Sequence, residues 1–319
     1  MAQSLSVPSL PAAVSVREVG PRDGLQNEPE VIATAEKVAL IEALAATGVA
    51  RIEVSSFVSP RTIPQLADAE EVLRAAAIPV GVLVSVLVPN RRGLERALAL
   101  RERGEGRIDQ VTVFLSASET HNRKNVNAPV AASLAAVSSV IEASRSEGLR
   151  CEGVISTAFG CPYEGHVDPR SVLAIARRLV DAGAQEVALA DTTGMANPRQ
   201  VQSLFVAARE ALGGEVELTA HFHNTRGVGL ANVLGALQVG IDSFESSVGE
   251  LGGCPVPPGA TGNIASEDLV SMLSELDIRT GVDLDALIAC AAHAQELLGR
   301  PLGSHVLRAG PVRWVPEEL

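Results

Sequence analysis

The chain has 319 residues, of which 46% are hydrophobic and 20% charged, and its formal charge is -12. This charge argues against nucleic-acid binding and against binding to anionic membranes, because both need a basic face, although it does not exclude a local basic pocket. The length is compatible with two domains or with one barrel of roughly 250 residues. Four scattered cysteines without a CxxC pair predict reduced thiols rather than a disulfide framework or a zinc ribbon.

Neither the N-terminal residues nor the apolar stretches indicate a membrane or export signal. Residues 1–14 contain no Lys or Arg, unlike a secretory or transit peptide. The longest apolar stretch, residues 78–88, is about half as long as a membrane-spanning helix. We therefore expect a cytoplasmic protein with no membrane partner.

Short β-branched runs alternate with helical patterns along the chain. Eight strands are predicted, at Ser15–Val19, Arg51–Ser56, Gly81–Val88, Gln110–Ser118, Cys151–Phe159, Glu186–Thr193, Glu217–Asn224 and Ser243–Val248. The clearest helical patterns cover Thr34–Thr47, Ala131–Gly148, Pro169–Gly183 and Pro198–Leu212. Repeated strand–helix units predict an α/β fold, a single-domain (β/α)8 TIM barrel. We expect the barrel at residues 15–298, an N-terminal tail at 1–14, and a C-terminal tail or interface arm at 299–319. A doubly wound open sheet is the alternative, but no GxGxxG motif follows the first strand.

Polar residues cluster at the carboxyl ends of the predicted strands, where barrel enzymes carry their chemistry. His221 and His223 are two residues apart on one strand, so both side chains face the barrel mouth. Two imidazoles there are candidate ligands of a divalent metal, and two hydrogen-bonded core histidines are the alternative. Asp23 and Asn263 would complete a nitrogen and oxygen set suited to Mg²⁺ or Mn²⁺. Taken alone, Asp23 in Arg-Asp-Gly is more typical of a simple turn-former than of a metal ligand.

Two further acids lie on predicted strands. Glu53 would be costly inside a barrel without a partner, and Arg22 is a plausible one. A structural ion pair and a catalytic role are both open for Glu53. Asp191 ends the sixth predicted strand, where it would either orient a ligand or cap the next helix.

The segment 249–263 contains five glycines and three prolines around Cys254, which predicts a lid. Cys254 is a candidate proton donor or nucleophile in that lid.

The chain has only two lysines, Lys37 in a predicted helix and Lys124 in a predicted polar loop after the fourth strand. Neither is placed for a Schiff base, so carbon–carbon bond chemistry would depend on a metal.

Four blocks of sequence resemble the hydroxymethylglutaryl-CoA lyases, a family of metal-dependent barrels related to the isopropylmalate and homocitrate synthases. The blocks are EVGPRDGLQNE (18–28), IEVSSFVSPRTIPQ (52–65), GCPYEG (160–165) and LGGCPVPPGATGNIASEDL (251–269). The resemblance extends from about Val16 to Val306. It implies retro-Claisen cleavage of 3-hydroxy-3-methylglutaryl-CoA to acetyl-CoA and acetoacetate, as in leucine and ketone-body metabolism. It also implies a homodimer.

The resemblance also implies roles for individual residues. The metal ligands would be Asp23, His221, His223 and Asn263, Arg22 would stabilise the enolate, and Cys254 would deliver a proton. Glu53 and Asp191 match active-site acids of the family. We further expect Gln26 and Thr192 to bind substrate, while Arg123 and Lys124 would either meet the CoA phosphates or lie in a solvated loop.

Two positions depart from the common family pattern. Val256 stands where an aromatic residue is usual after the cysteine, and Arg226 stands where many members have Tyr. A related 3-hydroxy-3-alkylglutaryl-CoA or methylmalyl-type thioester is therefore an alternative substrate. The remaining hypotheses are a condensing synthase of the same group and a non-catalytic paralogue that binds CoA or metal.

Overall fold

The computed structural model describes residues 10–252 and 262–314. Eight strands form one closed barrel in chain order, and every neighbouring pair is parallel. The strands are β1 (Ser15–Glu18), β2 (Arg51–Ser56), β3 (Leu83–Leu87), β4 (Gln110–Ser116), β5 (Arg150–Ser156), β6 (Glu186–Asp191), β7 (Glu217–Phe222) and β8 (Ser243–Ser246). The predicted TIM barrel is confirmed, and the open sheet is not observed.

Helices surround the barrel in the order that the alternating pattern predicts. They are α1 (Thr34–Ala46), α2 (Ala69–Ala75), α3 (Arg91–Glu102), α4 (Glu119–Val126), α5 (Val130–Ser146), α6 (Pro169–Asp181), α7 (Pro198–Leu212), α8 (Gly229–Leu237), α9 (Ser266–Glu275), α10 (Leu284–Leu298) and α11 (His305–Ala309). Within the described ranges no single helix is long and apolar enough to cross a bilayer, although the bent pair α4 and α5 meets that test by length and composition.

Most strands end earlier than their apolar patterns predict. The seventh strand, for example, ends at Phe222 rather than Asn224, and His223 pairs instead with Asn263 in an isolated bridge. Beyond the strand ends the backbone turns away from the sheet, as in the helical turns Gly20–Gly24 after β1 and Val248–Glu250 after β8. Local periodicity does not show where the ladder of inter-strand hydrogen bonds stops.

The segment that carries Arg123 and Lys124 is helix α4, so the predicted loop at this position is wrong. Ser118 caps the helix by accepting a hydrogen bond from the amide of His121, and Asn127 ends it in the left-handed conformation with φ of 54°. Both are ordinary helix-terminating features. The cap and stop residues bound a polar sequence of only eight residues, whose weak hydrophobic periodicity concealed the helix.

The base of the barrel is filled by ion pairs rather than by the branched aliphatic side chains usual in this fold. Arg51 Nη2 lies 2.7 Å from Glu186 Oε1, and Arg51 Nη1 lies 3.3 Å from Glu152 Oε2. Arg17 pairs with the same two glutamates. These four side chains are buried. We call Arg17, Arg51, Glu152 and Glu186 the basal ion network.

The apolar core lies between the barrel and the helices, and its largest fully buried side chains include Phe205, Phe222 and Phe244. The described ends of the chain contact this assembly. Ala13 pairs with Arg279, next to α9, and the Ser304 hydroxyl donates to Asp268 over 2.7 Å. The division into tails and barrel at residues 14 and 298 stays a prediction.

Candidate active site and metal centre

A five-residue π-helical turn, Gly20–Gly24, follows β1 and carries the first two residues of the site. The backbone amides of Arg22 and Asp23 both donate to the carbonyl of Val19, over 3.1 and 2.7 Å. In a strand these two neighbouring side chains would face opposite sides. The turn removes that alternation, so both side chains reach the mouth of the barrel.

Arg22 is held between two carboxylates. Its Nε donates to Oε2 of Glu53 over 2.5 Å and its Nη1 to Oδ1 of Asp23 over 2.6 Å. Burial alone would lower the pKa of Arg22, but these carboxylates more than offset it and raise that pKa. Glu53 is therefore the partner that the sequence predicts for Arg22. Burial still raises the pKa of Glu53 to about 7, because the Arg22 guanidinium only partly compensates.

His221 and His223 lie side by side at the end of β7, with ring centroids 5.2 Å apart. One potential ligand atom from each imidazole and one from the Asp23 carboxylate all lie within 4.8 Å of one another. Burial would raise the pKa of Asp23, but Arg22 and the two imidazoles hold it below its ordinary value. An ionised carboxylate and two imidazoles facing one point form a suitable donor set for a divalent cation.

Asn263 joins this group from the segment after β8. Its Nδ2 donates to Asp23 Oδ2 over 2.8 Å and to the Leu251 carbonyl over 3.1 Å. Its Oδ1 is buried and has no hydrogen-bond partner among the described residues. A buried amide oxygen without a partner is costly, and a cation would satisfy it. The residues present therefore fit a metal ligand set of two nitrogens and two oxygens.

Gly252 closes one side of the site. It has a positive φ of 97°, and a Cβ built on it would lie 2.5 Å from Asn263 Nδ2 and 3.0 Å from Asp23 Oδ2. Only glycine combines this backbone conformation with such close approach. The backbone before the predicted lid therefore packs directly on two of the candidate metal ligands, Asp23 and Asn263.

Glu245 was not among the residues that the sequence singled out. Its Oε2 lies 2.8 Å from Nδ1 of His221, and both side chains are buried. The signal that could have found it was the same one that identified Glu53, namely an acid on a strand whose neighbours are apolar or small.

Glu18, at the end of β1, was missed as well. Its carboxylate accepts hydrogen bonds from the amides of Gly20 and Val248 over 2.7 and 3.0 Å, and from the Ser266 hydroxyl over 2.6 Å. Burial raises its pKa to about 7 despite these bonds. Glu18 thus connects the turn that carries Arg22 to the segment after β8.

The comparisons with known proteins agree with this geometry. The family model described as HMGL-like matches residues 13–293. The hydroxymethylglutaryl-CoA lyase YngG of Bacillus subtilis is 45% identical over 298 residues, which cover 93% of this chain and 97% of that protein. The chain belongs to the HMGL-like family. The expected family and the expected class of carbon–carbon lyase are confirmed.

Two further relatives carry the names of different CoA-thioester lyases. The (R)-citramalyl-CoA lyase of Chloroflexus aurantiacus is 46% identical over 310 residues, which cover 94% of this chain and 96% of that protein. The solved structure of an HMG-CoA lyase from Acinetobacter baumannii in complex with coenzyme A and 3-methylmalate has a TM-score of 0.89. It is 40% identical and covers 96% of this chain and 98% of its own.

The remaining acid of this HMGL-like protein, Asp191, has one occupied and one unpartnered oxygen. Its Oδ1 accepts hydrogen bonds from the amides of Met195 and Ala196 over 2.7 and 3.0 Å, whereas Oδ2 is buried without a partner among the described residues. Burial raises the pKa of Asp191 to about 6. It is not the N-cap of α7, because Asn197 caps that helix. Asp191 therefore braces the loop with one oxygen and offers the other.

The predicted substrate-binding residues lie at the same mouth. Gln26 donates to Asp23 Oδ1 over 2.9 Å. The Thr192 hydroxyl oxygen accepts a hydrogen bond from the amide of Thr157 over 2.9 Å. Thr157 is a β-branched residue with a positive φ of 56°, which is a strained backbone conformation. This hydrogen bond joins the residue after β5 to the residue after β6 and orients Thr192.

Arg123 and Lys124 have partners outside the group around Asp23. Arg123 pairs with Glu119 over 2.7 Å within α4, and the Lys124 ammonium lies 4.9 Å from the ring centroid of Tyr163. Arg226 is exposed, and its Nη1 donates to the carbonyls of Thr193 and Gly194 over 3.0 and 2.7 Å. Cys254 and Val256 lie outside the described residues, so the predicted role of the lid stays a prediction.

Proposed function

We propose that the protein catalyses the divalent-metal-dependent cleavage of 3-hydroxy-3-methylglutaryl-CoA to acetyl-CoA and acetoacetate. The observation that carries this proposal is the convergence of Asp23, His221 and His223 beside the Arg22 guanidinium. The family of the chain and the names of its relatives support the substrate.

Mg²⁺ or Mn²⁺ is the proposed cation, held by Asp23, His221, His223 and Asn263. The mixed nitrogen and oxygen donors suit these ions better than a structural zinc, for which sulfur ligands and a closed set are typical. When bound, the cation supplies Lewis-acid catalysis to the oxygen atoms of the substrate.

Arg22 is proposed to stabilise the negative charge that develops on the thioester oxygen. Glu53 and Asp23 hold its guanidinium in one orientation before substrate arrives. Such preorganised charge is usually the largest single contribution to catalysis, because no reorganisation is needed during the reaction. Gln26 and Thr192 are proposed to position the substrate beside it.

The reaction needs one proton removed and one delivered. Loss of the proton from the tertiary hydroxyl converts that carbon to the ketone of acetoacetate as the C2–C3 bond breaks, and the enolate of acetyl-CoA is then protonated at C2. Glu53 and Asp191 are the candidate bases, because each keeps one buried oxygen without a partner among the described residues. Cys254 is proposed to deliver the second proton.

The residues that contact the CoA group of the substrate, the oligomeric state and the cellular compartment are also proposals. The cations of α4, Arg123 and Lys124, are proposed to meet the CoA phosphates, and the relative solved with coenzyme A supports a CoA thioester as substrate. We propose a cytoplasmic homodimer that acts in leucine degradation. The three described cysteines, Cys151, Cys161 and Cys290, are free and buried, as expected in a reducing compartment.

A related thioester is the second candidate substrate. The relative named (R)-citramalyl-CoA lyase is as similar to this chain as the hydroxymethylglutaryl-CoA lyase of Bacillus subtilis. Arg226, which departs from the common family pattern, bridges to the loop after β6 that begins with Thr192. Because Thr192 is a proposed substrate-binding residue, Arg226 could alter which acyl group this loop accepts.

The test is acetoacetate release from 3-hydroxy-3-methylglutaryl-CoA with Mg²⁺ or Mn²⁺, repeated with EDTA. A parallel assay measures pyruvate release from citramalyl-CoA, which the same cleavage would convert to acetyl-CoA and pyruvate. Rapid release that EDTA abolishes supports the proposal. Preference for citramalyl-CoA would replace the substrate and keep the chemistry. Release of CoA thiol from acetyl-CoA and a 2-oxo acid would instead indicate a condensing synthase. A folded protein that binds CoA but cleaves neither thioester would indicate a non-catalytic paralogue.

A further inference from the structure

Glu245 lies on β8 between the basal ion network and the candidate metal centre. Its Cα pairs with that of Arg17 on β1 and with that of His221 on β7. Its side chain faces the interior, where Oε2 lies 2.8 Å from Nδ1 of His221. The carboxylate is only 8% exposed and the imidazole 9%, so water does not compete strongly for this contact.

The contact determines which ring nitrogen of His221 is left for a cation. A carboxylate is only an acceptor, so the hydrogen bond requires the proton to be on Nδ1. Nε2 then presents a lone pair, and the ring cannot rotate without breaking a buried bond. Carboxylates in this position also increase the basicity of a ligating imidazole.

Two arginines and two acids surround the Glu245 carboxylate. Arg51 of the basal ion network and Arg22 of the site both lie within electrostatic reach of its carboxylate. Two acids oppose them, since Glu53 and Glu152 also face Glu245. The hydrogen bond to His221 is the direct side-chain contact that Glu245 makes within the described part of the chain.

We infer that Glu245 is a positioning residue for the metal centre, which fixes the tautomer and orientation of His221 and thereby sets the affinity for the divalent cation. The inference rests on the proposed metal-dependent function.

The test is direct titration with Mn²⁺ followed by electron paramagnetic resonance of the free ion, which does not depend on activity. Glu245→Gln keeps the shape of the side chain and removes its charge. We expect the Kd for Mn²⁺ to rise about 10- to 100-fold in this variant. Glu217→Gln is the matched control, since Glu217 contacts Arg17 at the base of the barrel but not His221, and its Kd should equal that of the wild type.

A second variant and a second readout separate positioning from simple structural support. Glu245→Asp restores the charge but shortens the reach, so its Kd should lie between those of wild type and Glu245→Gln. Acetoacetate release should show a raised metal requirement in Glu245→Gln, with kcat recovered at saturating Mn²⁺. Nitrogen-15 spectra of Mg²⁺-loaded protein should show His221 protonated at Nδ1.

The outcomes distinguish this inference from the proposed function. An unchanged Kd in folded Glu245→Gln would overturn the role of Glu245 while leaving the metal centre intact. Absence of Mn²⁺ binding by the wild type would overturn both. Normal Mn²⁺ binding by the wild type without acetoacetate release would overturn the proposed substrate but not the role of Glu245.

Discussion

Arg22 and Glu53 meet across the mouth of the barrel, where Nε donates to Oε2 over 2.5 Å while the other carboxylate oxygen of Glu53 stays buried without a partner among the described residues. Arg22 comes from the turn after β1 and Glu53 from β2, 31 positions apart in the chain. The pair holds the guanidinium over the site without using all the acceptor capacity of the acid. Glu53 can therefore orient Arg22 and still accept a proton or a substrate hydrogen bond.

We expect Arg22→Gln to lower turnover about 10²- to 10³-fold, because the charge that faces the enolate is removed. Mn²⁺ affinity should change little, since Arg22 is not a ligand. Steady-state release of acetoacetate and Mn²⁺ titration measure the two quantities. Arg74→Gln is the control, because Arg74 is an exposed arginine in an ion pair with Glu105. Near-normal turnover of Arg22→Gln would falsify the proposed role.

Gly252→Ala should damage the metal centre by steric contact. The new Cβ would lie 2.5 Å from Asn263 Nδ2, so the asparagine or the Asp23 carboxylate must move. We expect Mn²⁺ affinity and turnover both to fall at least about tenfold, as for other losses of support to a metal site. Isothermal titration with Mn²⁺ checks the affinity.

Gly148→Ala is the matched control for this change. Gly148 also has a positive φ, 74°, but a Cβ there meets nothing within 4 Å. It should lose about 1–2 kcal/mol of stability from backbone strain alone and retain wild-type Mn²⁺ affinity. Equal loss of affinity in both variants would show that strain, and not contact with Asn263, causes the effect.

Glu267→Gln tests a buried acid at the start of α9. Burial raises the pKa of Glu267 to about 8, although it accepts hydrogen bonds from the Gly249 amide. The native state therefore binds this proton more tightly than the unfolded state, and the resulting stability is lost as pH rises from about 4.5 towards 8. Glutamine does not titrate. The stability of Glu267→Gln relative to wild type should therefore increase with pH.

The increase should reach at most about 1.4 kcal/mol per pH unit, the value for one proton. Urea unfolding of both proteins at about pH 5, 6, 7 and 8 measures it. Glu142→Gln, at an exposed position on α5, should show no such trend. A constant difference between Glu267→Gln and wild type across this range would mean that Glu267 is ionised throughout.

Arg51→Leu should destabilise the basal ion network. It leaves Glu152 and Glu186 without one of their two arginines in a buried position. Breaking a buried pair on one side costs about 3–5 kcal/mol, which denaturant unfolding can measure. The double variant Arg51→Leu with Glu186→Leu should lose less than the sum of the two single variants. Additive losses would show that the two side chains do not interact energetically.

Much of the fold followed from local patterns in the chain. Alternating β-branched and helical segments predicted eight strand–helix units, and β2 was placed at Arg51–Ser56, as the structure has it. The end of β7 was placed too late, because His223 continues the alternation of the strand after the chain has left the sheet. Helix α4 was missed because eight polar residues carry little periodicity.

The candidate site divides in a similar way. His221, His223 and Asp23 were identified by their residue types and by their positions at strand ends. The structure brings one potential ligand atom from each of them within 4.8 Å of the others. Glu245 and Glu18 were missed. Their importance comes from partners that are distant in sequence, since Glu245 bonds to His221 across 24 residues and Glu18 to Ser266 across 248.

The sequence by itself determined the barrel, the strands and the chemical types of the side chains at its mouth, because strand and helix periods are local properties of the chain. Only the tertiary structure decided which of these side chains meet. The π-helical turn at Gly20–Gly24 turns Arg22 and Asp23 to one side, and the register of β8 beside β7 places Glu245 against His221. Register and closure arise from contacts between distant segments, and no local pattern encodes the distance between two such atoms.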